Sequence, residues 1–132
     1  MLSEVDKSPK VFTLEAANRT LPLVSRVLRD IVDCSREVDS LRREIQSVEE
    51  TDASEVLRAR IERKFAEVEG YLAELRDIGC ECKDPRVGLV DFPARLGGRV
   101  VLLCWKLGED EVSHWHERSE GFAGRQPVRG FF

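Results

Sequence analysis

No stretch of this sequence approaches the roughly 20 consecutive apolar residues that a bilayer-spanning helix needs. The opening, Met1 to Lys10, is polar and charged and lacks the apolar centre of a secretory leader. The expected location is therefore the cytoplasm, where thiols stay reduced. A block of cations is also missing. Arginines alternate with acids along the chain, the net charge is −4, and the pI is near 5.3. Phosphate backbones and anionic membranes call for clustered cations, so neither is an expected partner. Gly121-Phe122-Ala123-Gly124-Arg125 lacks the spacing and the Lys-Ser/Thr ending of a phosphate loop, which argues against nucleotide binding by that route. There is no Gly-x-Ser-x-Gly and no internal repeat. The four cysteines do not form the paired Cys-x-x-Cys of a structural zinc site. Cys34 falls on an apolar helical stripe and Cys104 in a strand-like run, and both read as small buried hydrophobes. Cys80 and Cys82 read as ordinary thiols at a helix end. Histidine is scarce, with His114 and His116 the only two.

What remains is ample for a fold. The 132 residues suit one domain, with 42% apolar and 35% charged residues. The class expected is α+β: a long antiparallel, coiled-coil-like helical hairpin, then a β-hairpin and a short C-terminal helix and loop. Residues 1–11 form a polar tail. Helix one spans 12–50, with Thr13 as N-cap and Glu15 in the first turn. Its stripe is Leu14, Ala17, Leu21, Val24, Leu28, Ile31, Cys34, Val38, Leu41, Ile45 and Val48, at steps of 3 and 4. Pro22 interrupts it, so either the helix kinks there or a short first segment precedes a second helix. Residues 49–54 make the turn, with Asp52 and Glu55 at capping-box spacing.

Helix two spans 52–79, with Leu57, Ile61, Phe65, Val68, Leu72, Leu75 and Ile78 on its stripe and Gly79 at its C-terminal cap. Helix one, at about 53 Å, outruns helix two, at about 39 Å. Residues 13–22 should therefore lie beside whatever follows Gly79. Residues 86–106 read as a β-hairpin around Gly97-Gly98. Its strands are apolar on both faces, so both faces need cover, for which a second copy of the chain is one candidate. Residues 109–120 read as a short helix anchored by Val112 and Trp115, and 121–132 as a glycine-containing tail.

Few residues can carry chemistry. On a helix, His114 and His116 lie about 200° apart and cannot share a metal; on a strand they share a face. His116 with Glu120, or His114 with Glu111 or Glu117, has helical pairing distance. An imidazole–carboxylate set suits Zn, Mn or Fe, while the plainer reading is a surface or structural histidine. Asp91 stands inside an apolar run and must find a partner. Either it pairs with an arginine, such as Arg19 or Arg125, or it is a ligand or general base in a pocket. Arg125 and its glycine-rich loop also suit a small anion.

Phe12-Thr13-Leu14-Glu15-Ala16-Ala17-Asn18-Arg19 and Leu21-Pro22-Leu23-Val24 resemble the opening of the bacterial domain-of-unknown-function family 2203. Gly88 to Ala94, Leu103-Cys104-Trp105, Gly108-Glu109, Trp115-His116 and Gly121 to Pro127 resemble it too, so the likeness covers residues 11–128. It implies no activity, because that family is uncharacterised. It does favour His116 over His114, and it leaves Cys80 and Cys82 outside the matching motifs.

Two readings follow. The first is a homodimeric interaction or assembly protein, with or without a further protein partner. The second is a metal- or small-anion-binding protein, of which a hydrolase-like enzyme is one version. Its metal would be held by Asp91, His116, Glu117 and Glu120 and its anion by Arg19 and Arg125, where the N-terminus of helix one meets the C-terminal unit.

Overall fold

The computed structural model describes residues 10–50 and 52–132. The expected tail over residues 1–11 thus lies mostly outside the described residues, as does Thr51 of the expected turn. Two helices lead, α1 (Leu14–Gln46) and α2 (Asp52–Ile78). Five strands follow: β1 (Glu81–Asp84), β2 (Leu89–Leu96), β3 (Arg99–Lys106), β4 (His114–His116) and β5 (Gln126–Pro127). They form one antiparallel sheet in chain order. Among the described residues no helix is long and apolar enough to cross a membrane.

Thr13 caps α1 by accepting the Ala16 N–H at 3.0 Å, satisfying a donor that the first turn leaves open. Pro22 lies inside one helix, so the alternative of two separate segments is not found. α2 begins at Asp52, as expected, whereas α1 stops at Gln46, short of the expected end at residue 50. Gly79 ends α2, its N–H bonded to the Leu75 carbonyl at 3.0 Å.

The α1 stripe is buried from Ala17 to Val38 and then fades, Leu41 and Ile45 being half-buried and Val48 exposed. On α2 only Ser54, Leu57 and Leu75 are buried, and Phe65, expected in the seam, is 45% exposed under the Arg42 guanidinium. Two helices alone bury only the seam between them, so the far part of the hairpin has little interior.

The near end differs because the sheet closes over it. Val90, Phe92, Ala94, Val101, Leu103, Trp105 and Trp115 form one face of the sheet, all buried. They pack with Ala17, Leu21, Val24, Leu28, Ile31 and Leu75 into a single core. The first turns of α1 lie here, as the length mismatch implies. The Phe12 N–H bonds the Pro93 carbonyl at 2.7 Å, the Phe12 ring stands edge-on to Phe92, and Asn18 Oδ1 accepts the Val112 N–H at 2.7 Å.

Gly97 and Gly98, both with positive φ (58° and 81°), make the two-residue turn that joins β2 to β3. This sets the register: Leu96 faces Arg99, and five pairs further on Asp91 faces Cys104. Ahead of β2, Gly88 sits at φ 82°, where a Cβ would lie 2.9 Å from Leu107 Cβ and 3.2 Å from Val32 Cγ2.

The short helix expected over residues 109–120 is not there. Residues 114–116 form β4, flanked by turns, and the 121–132 segment supplies a 3₁₀ turn (Phe122–Gly124) and β5. The free edge of β3 offers backbone partners that outweigh the segment's weak helical pattern. Strand alternation then sends Trp115 into the core and both histidines to the outer face.

Candidate metal centre

The outer face is where the polar residues collect. Asp91 lies on β2, Cys104 is its cross-strand partner on β3, and His114 faces Cys104 from β4. His116, two residues on, turns in the same direction. Asp91 is 4% exposed, Cys104 2% and His116 2%. Their ligand atoms, one carboxylate oxygen, Sγ and one ring nitrogen, all lie within 4.8 Å of one another.

The His116 hydrogen bonds determine what the cluster can do. Nδ1 lies 2.8 Å from the Glu117 carbonyl oxygen, which can only accept, so Nδ1 carries a proton. Nε2 lies 3.1 Å from Asp91 Oδ1. In the neutral ring Nε2 then has a lone pair, aimed at a carboxylate oxygen. Two lone pairs at that distance need a cation between them, either a proton or a metal ion.

Burial pushes the Asp91 carboxyl above its ordinary value, although His116 and Lys83 beside it pull the other way. Burial also pushes the Cys104 thiol up to about 11. The Asp91 charge adds to this, while the Arg125 guanidinium, within hydrogen-bonding reach of Sγ, opposes it. A cavity of about 180 Å³ opens onto the three residues, lined also by Lys83, Leu102, Arg118, Glu120 and Phe122. A second, of about 300 Å³, reaches Asp91 and Leu102 from the side of Lys10 and Arg76. The cover on this part of the outer face therefore comes from the chain itself, through residues 116–125.

A profile for the family described as "Uncharacterized conserved protein (DUF2203)" matches residues 10–128. The chain belongs to this family. No curated protein and no solved structure matches it.

The DUF2203 chain brings only some of the expected site residues together. Asp91 and His116 converge. Asp91 does not pair with Arg19 or Arg125; its partner is His116. Arg19 is exposed on α1, and its neighbour Asn18 makes the contact to the C-terminal unit. The Glu117 side chain turns away to a bidentate pair with Arg99, at 2.9 and 2.7 Å, leaving its carbonyl to orient His116. Glu120 is exposed at the cavity rim, where it accepts the Glu117 N–H at 3.3 Å.

Cys104 is the member that the sequence pattern missed. The signal was present in the Gly-Gly turn, which puts Cys104 opposite Asp91, but a cysteine in an apolar run reads as core.

Arg125 forms a half-buried bidentate pair with Glu109, at 3.0 and 2.7 Å, and Glu109 also accepts the Lys106 N–H at 2.8 Å. Burial alone would raise the Glu109 pKa, but Arg125 and the Lys106 N–H overcome it and hold the carboxyl below 4.5. A depressed folded pKa stabilises the fold above the unfolded value, and that contribution is lost as pH falls through the folded one. Glu109→Gln should therefore cost about 1–3 kcal/mol at pH 7. In urea unfolding, the gap to the wild type should narrow at pH values below the unfolded carboxylate range.

Proposed function

We propose that this chain is a metal-binding protein whose site is Asp91, Cys104 and His116, suited to zinc or a similar divalent ion. The observation that carries the reading is the His116 geometry, a buried Nε2 lying 3.1 Å from a buried carboxylate oxygen while Nδ1 lies 2.8 Å from a backbone carbonyl oxygen. A ligating histidine commonly donates its other ring N–H to such a carbonyl, which fixes tautomer and orientation. The Nε2–Oδ1 separation of 3.1 Å is close to the roughly 3.3 Å between two ligands bound tetrahedrally at about 2.0 Å. Sulfur, imidazole and carboxylate together match the donors zinc takes. Three protein donors are one fewer than a closed structural site uses, and all three line the cavity.

Metal analysis of untagged protein tests this. One zinc per chain is expected after dialysis against zinc, and no stoichiometric metal in Cys104→Ser or His116→Ala. If the wild type also holds none, a proton bridges Asp91 and His116 and the trio is structural.

A second reading, self-association, has its own support in the exposed apolar residues Val11, Phe131 and Phe132. Val11 and Phe132 also line an open cavity of about 340 Å³ with Leu14 and Arg95. Sedimentation equilibrium at tens of micromolar should then give a dimer, and a monomer would contradict this reading.

A further inference from the structure

We infer that the cavity over Asp91, Cys104 and His116 binds a small oxyanion group, phosphate or carboxylate, between Lys83 and Arg118. The inference rests on the metal reading and names the ligand class that site would take.

The sheet order provides the framework. Lys83 comes from β1 and Arg118 from the turn after β4, so the two cations approach from opposite flanks of the β2–β3 pair that carries Asp91 and Cys104. Arg118 is exposed and makes no ion pair among the described residues. Among the described residues the ion pair of Lys83 is with the exposed Glu81, at 3.3 Å, and its charge also acts on Asp91. Glu120 is the one other acid lining the cavity, and it is turned to the Glu117 N–H.

Charge then decides the ligand's sign. With a divalent ion held, the Cys104 thiolate and the Asp91 carboxylate together cancel its two charges. Among the other charged groups lining the cavity, Lys83 and Arg118 then face Glu120, while the Glu81 that pairs with Lys83 is solvent-exposed and outside the lining, so the lining keeps a net positive charge. Leu89, Leu102 and Phe122 supply apolar walls that limit competition from water. A volume of about 180 Å³ suits a compact group. Arginine presents a planar fork that fits an oxyanion bidentately, and lysine adds a point charge.

The test is calorimetric titration of zinc-loaded, untagged protein with inorganic phosphate and, separately, with acetate. Saturable one-site binding is expected, at least tenfold weaker in the Lys83→Ala/Arg118→Ala double variant while zinc uptake is unchanged. Tighter binding of phosphate assigns a phosphate-bearing ligand, and equal or tighter binding of acetate a carboxylate; either outcome supports the inference. If the protein takes zinc but binds neither anion, or if the double variant binds as well as the wild type, the inference is overturned while the metal site stands. If the wild type takes no zinc, both fall together.

Discussion

Zinc at saturating excess should raise the melting temperature of the wild-type chain by roughly 12–20 °C. A ligand at a thousandfold excess over its dissociation constant stabilises the native state by about 4 kcal/mol. For a domain of this size each kcal/mol moves the midpoint by roughly 3–5 °C. The gain has a physical origin in the apo site. Asp91 is buried among groups that do not fully compensate its charge, as its raised pKa reports, and a cation relieves that cost. The shift should shrink as the pH falls, because protons compete for the thiol and the imidazole. Asp91→Asn, Cys104→Ser and His116→Ala should each abolish most of the zinc-induced shift, whatever they do to the metal-free protein. Magnesium, which prefers an all-oxygen octahedron, should have little effect.

Phe92→Ala should be the most damaging change to the fold itself, at about 3–5 kcal/mol in urea unfolding. Phe92 is fully buried on the helix-facing side of β2, with the Phe12 ring edge-on at 5.2 Å. Truncation leaves a cavity where the start of α1, the sheet and the end of α2 meet, and neighbours held by backbone pairing cannot collapse into it. Phe65→Ala is the internal control. Phe65 occupies a stripe position on α2 but is 45% exposed, so its loss should cost less than about 1 kcal/mol. Equal costs at the two positions would contradict the division into a packed near end and a thinly buried far end.

That division was partly legible beforehand. Spacing alone marked both helices, the Thr13 cap and the β2–β3 hairpin, and the difference in helix lengths placed residues 13–22 beside the C-terminal unit. The far seam was overread because periodicity shows which residues share a face, not whether anything covers it; Phe65 keeps the period and lacks the cover. β4 was misread because three residues carry too little pattern to outvote Val112 and Trp115 at helical spacing, and the edge of β3 that pairs with them is a tertiary feature.

The site was legible in part for the same reason. Asp91 stood out as a charge in an apolar run and His116 as a scarce imidazole in a family-like pair. Glu117 and Glu120 were drawn in by helical spacing, which a strand and a turn do not honour. Cys104 was set aside by residue type, although the hairpin register pairs it with Asp91. Residues 116–125 cover the outer face around the cluster, while Leu89, Pro93, Val100 and Leu102 on that face are half-buried.

Cobalt substitution tests the proposed metal centre most directly. Titrating Co(II) into the untagged wild-type chain should produce intense visible bands of a four-coordinate ion and a thiolate-to-metal charge-transfer band in the near ultraviolet, saturating at one equivalent. Cys104→Ser should lose the charge-transfer band. A spectrum that stays as weak as that of hydrated cobalt, or a charge-transfer band that persists in Cys104→Ser, would contradict a site built from Asp91, Cys104 and His116.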